Sequence, residues 1–232
     1  MKKGIIYGVG VGPGDPELMT LKAIRLIREN DVIAVPGKDP KEAAAYRIAV
    51  KNIPELADKE LVSVCMPMVK DKKLLEQAHR KGAKQLETYL DKGKNVVYIT
   101  LGDPAIYCTF VYLKHILEND GYIAESVSGV PSFCAAAARL DLPLAEWDEQ
   151  LHIIPNLHRS AGSLSYPGNY IIMKSAPHIK EVKEFLEKSD FEVCMVENCG
   201  METEKIYRSL DEIPDDAGYF SLIIAKGGIL IG

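Results

Sequence analysis

The hydrophobic positions of this chain follow two alternating rhythms. Short apolar stretches, rich in Val and Ile, fall at 4–10, 31–35, 61–64, 95–99 and 122–127. Bounded by Gly, Pro and Asp, they read as strands, and the continuous run at 95–99 reads as one buried on both faces of a parallel sheet. Between them, apolar residues recur at helical spacing. Behind a Thr20 cap, Leu21, Ile24, Leu26 and Ile27 are expected to point inward. Residues 41–50 form a second helix. A third carries Leu74, Leu75, Ala78, Leu86, Tyr89 and Leu90, and a fourth runs over 105–118. Strand followed by helix, repeated in this way, predicts a parallel α/β sheet.

The second half changes character. An alanine-rich helix is expected at 133–140 and an amphipathic one at 179–186. Strands are expected at 151–154, 170–173, 191–196, around Ile206-Tyr207 and at 220–225. Residues 156–165 are polar and read as a loop or short helix. Strands outnumber helices here, which predicts a mixed sheet. A boundary near 118–122 divides the chain into two α/β domains, 1–119 and 120–232, and the cleft between such domains is the natural place for a ligand.

Composition narrows the function. At 232 residues the chain has room for one large or two small domains. A net charge of −5 gives no global basic field, so nucleic acid is not an expected partner. No apolar run reaches membrane-spanning length. Met1-Lys2-Lys3 resembles the start of a signal peptide, but glycines and Asp15 follow at once, so the segment reads as a first strand and a cytoplasmic location is expected. The five cysteines are odd in number and scattered, which reads as reduced structural thiols. Neither they nor the five histidines offer metal-ligand spacing, so no protein-bound metal is expected.

Candidate chemistry gathers at 95–107. There a buried strand ends on Gly102-Asp103-Pro104, read as a tight turn with Asp103 as cap and Pro104 in the first helical position. Ligands of open α/β sheets bind at that carboxyl edge. A glycine-rich stretch, Gly8-Val-Gly-Val-Gly-Pro-Gly-Asp-Pro16, follows the first strand. It fits neither the dinucleotide fingerprint nor a P-loop, and by itself it is equally a bare strand-to-helix turn. The run 66–73 is read as a loop whose lysines form a solvated face, with a ligand-facing basic lip as the alternative.

Three stretches together resemble the tetrapyrrole (corrin/porphyrin) methylase family: Gly8 to Ala23, then Val96 through Gly102-Asp103-Pro104 to Tyr107, and Ser128-Gly-Val-Pro-Ser-Phe133. They stand in the family's order, and the resemblance covers essentially the whole chain. Within the family the chain is most similar to C20-methyltransferases of cobalamin synthesis, through 66–71, 131–138 and 142–155. Cys108, Ser128-Gly129 and Val130-Pro131 depart from the broad family pattern.

The resemblance implies two α/β domains, a homodimer, and S-adenosylmethionine as methyl donor. It implies a tetrapyrrole substrate, precorrin-2 or cobalt-factor II, methylated at C20. Cofactor contacts carry over to Pro13, Gly102, Asp103, Ile106, Tyr107, Ser132 and Phe133, and in the second domain to Met173 and Ala176. Asp103 and Tyr107 are the candidate catalytic groups for loss of the C20 proton, with a bound water as the alternative. A polycarboxylate substrate calls for cations, and the candidates are Lys38, Arg47, Arg139, His158, Arg159 and Lys174. The rival readings are methylation at another tetrapyrrole carbon, protein methylation like that of diphthine synthase, and a non-catalytic binding module.

Overall fold

The computed structural model describes residues 2–67, 69, 71–155, 164 and 166–227, and divides the chain into two compact units meeting at Pro131/Ser132. In the first unit, strands and helices alternate: β1 (Ile5–Gly10), α1 (Leu21–Glu29), β2 (Val32–Pro36), α2 (Ala44–Asn52), β3 (Glu60–Val64), α3 (Lys72–Leu90), β4 (Val96–Thr100), α4 (Phe110–Asn119) and β5 (Ile123–Val127). The sheet order is β3-β2-β4-β1-β5 and every pairing is parallel. All five residues of β4 are buried. Their alternation splits them between two cores. Val97 and Ile99 face Leu26 and Ile27 of α1 and Ile48 and Ala49 of α2. Val96 and Tyr98 face Leu86 and Leu90 of α3 and Leu113 and Leu117 of α4. Each fully buried aliphatic side chain of this kind contributes roughly 1.5–3 kcal/mol.

The second unit begins with α5 (Ser132–Leu140) and continues through β6 (Leu151–Ile154), β7 (Asn169–Met173), α6 (Ile179–Leu186), β8 (Phe191–Glu197), β9 (Lys205–Tyr207) and β10 (Ser221–Gly227). Its sheet order is β6-β7-β10-β8-β9, and only β6–β7 is parallel. The mixed sheet expected from the strand-rich second half is what forms. Its core packs Ile179, Val182 and Leu186 of α6 against Ile172, Met195 and Ile223.

Several expectations are corrected. The division at 119/120 falls before β5, yet β5 pairs with β1, so the first unit runs on to Pro131. Leu21 is 87% exposed, because it is the first residue of α1 and lies clear of the face formed by Ala23, Leu26 and Ile27. Residues Pro40–Glu42 form a separate short 3-10 turn before α2. Lys72 and Lys73 belong to α3, whose cap Asp71 accepts from the backbone N–H groups of Lys73 and Leu74. Leu74, at the start of that helix, is exposed, and His79, Gly82 and Ala83 supply part of its buried face. The helix expected over 105–118 starts only at Phe110. Residues 156–163 lie outside the described residues.

Candidate active site

At the carboxyl edge of the first sheet, β1 lies between β4 and β5, so three loops leave side by side. They interlock through backbone. Val11 N–H donates to the Thr100 carbonyl at 2.9 Å. Gly12 and Gly102 form an isolated antiparallel bridge, with Gly102 N–H to Gly12 O at 2.8 Å. A Cβ on Gly10 would run into the Gly102 carbonyl oxygen and stand 2.9 Å from Gly129 Cα. The three loops therefore touch where only glycine fits. Gly102 has φ +69°, and on its own open side a Cβ would meet only the Val130 carbonyl, at 4.0 Å. That side has space for a ligand to approach the backbone.

Asp103 is buried, and its carboxylate joins two of the loops. Oδ1 accepts from Ala105 N–H at 2.7 Å and Oδ2 from Gly129 N–H at 2.9 Å. Asp103 thus caps a turn, not the helix expected from the Asp-Pro signal. The turn cannot grow into α4 because Tyr107 has φ 47°, in the left-handed region that interrupts a right-handed helix. Left-handed non-glycine residues often mark functional loops. The Tyr107 side chain is half-exposed and Ile106 partly so. Behind them the loop is closed by a thiol. Cys108 Sγ donates to Thr100 Oγ1 at 3.2 Å and accepts from Phe110 N–H at 3.4 Å. Tyr98 lies beneath, with its hydroxyl 3.4 Å from Thr109 Oγ1; burial pushes its phenol far up, away from acid–base use. Pro13 is buried in the first loop, and Asp15 caps the short turn after it through Glu17 N–H.

The second unit has an edge of comparable polarity. Register sets Met173 opposite Leu222 and Ser221 opposite Glu197, so the loop 173–176 and the end of β8 share one edge. Lys174 is left-handed at φ 56° and Asn198 at φ 52°. Ser175, Glu197 and Ser221 are all buried there. Glu197 accepts from Gly218 N–H at 2.7 Å and from the Tyr207 hydroxyl at 3.4 Å. Met173 and Ala176 are partly exposed. Ser132 is partly exposed in the first turn of α5, while Phe133 is buried.

The candidate cations have different surroundings. Lys38 is exposed, and Lys174 is partly so. Arg47 forms an exposed pair with Glu42. Arg139 grips Glu204 with Nε and Nη2, an intramolecular partner that sequence spacing does not reveal. His158 and Arg159 lie outside the described residues. Sequence reasoning missed Glu197 and Glu204. One signal was available for Glu197: a lone carboxylate ending the otherwise apolar run Val193–Val196.

The sequence pattern of the Tetrapyrrole (Corrin/Porphyrin) Methylases matches residues 5–214, and the chain belongs to that family. It is 36% identical, over 95% of both chains, to a probable cobalt-precorrin-2 C(20)-methyltransferase of Methanocaldococcus jannaschii. It is 29% identical, over 96% of both chains, to the cobalt-precorrin-2 C(20)-methyltransferase of Salmonella typhimurium. Among solved structures, uroporphyrin-III C-methyl transferase of Thermus thermophilus complexed with S-adenyl homocysteine superposes with a TM-score of 0.67. That match has 22% identity and covers 96% of this chain and 97% of the other. This likeness concerns the fold alone.

Proposed function

We propose that this chain transfers a methyl group from S-adenosylmethionine to C20 of precorrin-2 or of its cobalt form, cobalt-factor II, in cobalamin synthesis. The observation that carries the proposal is the 36% identity over 95% of both chains to a C(20)-methyltransferase relative. The open side of Gly102 also fits a donor held against backbone.

S-adenosylmethionine would supply an activated methyl on its sulfonium sulfur, and the protein's task is then to position the reacting carbon. Gly102 would give backbone access, Ile106 would offer an apolar face to the adenine, and Pro13 would shape the neighbouring loop. Ser132, Phe133, Met173 and Ala176 supply the second unit's contacts. Each Asp103 oxygen already accepts one backbone N–H and keeps a lone pair for a ligand hydroxyl or ammonium. Taking the C20 proton on such a lone pair would neutralise Asp103 and weaken the two N–H bonds it accepts as a carboxylate. Tyr107, half-exposed beside it, is the better-placed candidate. Lys38, exposed, and Lys174, at the edge of the second sheet, are candidate cations for substrate carboxylates. Two copies of the chain form the working enzyme, which sedimentation velocity checks.

The deciding experiment incubates the protein with methyl-labelled S-adenosylmethionine and, side by side, precorrin-2 and cobalt-factor II. NMR then locates the label. Label at C20 of either substrate supports the proposal, and the faster substrate settles the cobalt question. Label at another carbon, or none on either tetrapyrrole, overturns it.

A further inference from the structure

Arg139 stands in the last turn of α5, and its guanidinium is directed at Glu204 in the connection from β8 to β9. Nε lies 2.8 Å from Glu204 Oε1 and 3.1 Å from Oε2, and Nη2 lies 2.5 Å from Oε1. Oε2 also accepts from Gly200 N–H at 2.6 Å. The carboxylate therefore holds the end of α5 and the turn after β8 at once. The Glu204 side chain is only 12% exposed, while that of Arg139 is 58% exposed. Burial by itself would raise the Glu204 carboxyl pKa, but the hydrogen bonds from Arg139 and Gly200 and the Arg139 charge outweigh it and hold the group below its ordinary value. A second arginine acts at the same end of α5, where Arg208 Nη1 donates to the Leu140 carbonyl at 3.4 Å.

A helix fixed at its C-terminal end has its N-terminal end fixed too, because it is stiff over nine residues. The N-terminal turn of α5 carries Ser132 and Phe133. We propose that Arg139 and Glu204 are a positioning pair for the cofactor contacts at the start of α5, and that Arg139 is not a ligand of the substrate carboxylates. This rests on the methyltransferase reading above.

The test measures S-adenosylmethionine Kd by calorimetry and tetrapyrrole KM by turnover, in the full-length protein. Arg139→Met and Glu204→Gln should each weaken S-adenosylmethionine about tenfold, as expected when a charge-assisted, two-pronged bond to a mostly buried carboxylate is lost. The double variant should be no worse than either single one, since both remove the same bond. Tetrapyrrole KM should stay within about twofold. Arg139→Lys keeps the charge but not the two-pronged fork. It should give a smaller loss, and it keeps the test open if Arg139→Met does not fold. Arg25→Met breaks only an exposed pair with Glu29 and should leave Kd unchanged.

The proposal is overturned if Arg139→Met raises tetrapyrrole KM while Glu204→Gln does not, which would make Arg139 a substrate ligand. It is also overturned if both variants bind S-adenosylmethionine like the parent. Parent protein that fails to bind S-adenosylmethionine at all overturns the methyltransferase reading itself, an outcome visible before any variant is made.

Discussion

The two units fix the loop-bearing edges of their sheets by different means. In the first, loops after β1, β4 and β5 are locked by backbone lying on backbone at Gly10, Gly102 and Gly129, with one carboxylate, Asp103, as a strut. In the second, side chains do the work: Glu197 holds Gly218 and Tyr207, and Glu204 holds Arg139 and Gly200. Backbone packing cannot adjust to added atoms, because no rotamer can turn aside. Side-chain bonds tolerate size changes better but depend on charge and pH. The first edge should therefore break on the addition of a methyl group, and the second on the loss of a charge.

The largest effect expected is at Gly10. In Gly10→Ala the new Cβ meets Gly102 O and Gly129 backbone atoms, neither of which can move without opening the sheet edge. A loss of about 3 kcal/mol or more, the upper end for overpacking, is expected in urea denaturation, with methyl transfer abolished. Near-parental stability would mean that the loops are looser than drawn, and the contrast between the units would fail.

Asp103→Asn comes next. The amide oxygen can still accept from Ala105 N–H, but the NH2 group cannot accept from Gly129 N–H, which is left without its partner. The expected loss is about 1–3 kcal/mol, with a rise in S-adenosylmethionine Kd. If turnover vanishes while Kd and stability are unchanged, Asp103 is a proton acceptor and not a strut.

The second edge is probed by acid. The folded Glu204 carboxyl is held below its unfolded value. Its stabilising contribution is thus complete above the unfolded pKa, near 4.5, and is lost as pH falls through the lower folded value. Between pH 6 and about 3, the stability of Glu204→Gln should fall less steeply than that of the parent. Equal slopes in thermal melts across that range would remove Glu204 from the account of this edge.

How far the sequence foretold this contrast depends on the kind of contact. Strands such as β4 (Val96–Thr100) were legible because burial on both faces writes a continuous apolar run. Gly102-Asp103-Pro104 was legible as a turn, but Asp-Pro opens an isolated turn as readily as a helix, and the left-handed Tyr107 that decides between them is set by its surroundings. β5 was seen as a strand yet assigned to the second domain. Its Glu125 and Ser126 suit an exposed edge position, and nothing local says which sheet it joins. Arg139 read as a candidate substrate cation because its partner is 65 residues further along the chain. The backbone-locked edge left glycines in the sequence that could be noticed. The charge-locked edge left only ordinary Arg and Glu residues.

The smallest effect expected tests periodicity against position. Leu21 and Leu26 both fit the apolar rhythm of α1, but Leu21 is 87% exposed and Leu26 is 6% exposed. Leu26→Ala should cost about 2–5 kcal/mol, as a cavity in the core that Leu26 shares with Val9 and Val11. Leu21→Ser, at the first position after the Thr20 cap, gives up only helix propensity and should cost about 0.5 kcal/mol or less in the same urea titration. A loss above about 2 kcal/mol at Leu21 would mean that its side chain is covered in the working protein. The rhythm would then have been right about burial and wrong only about what does the burying.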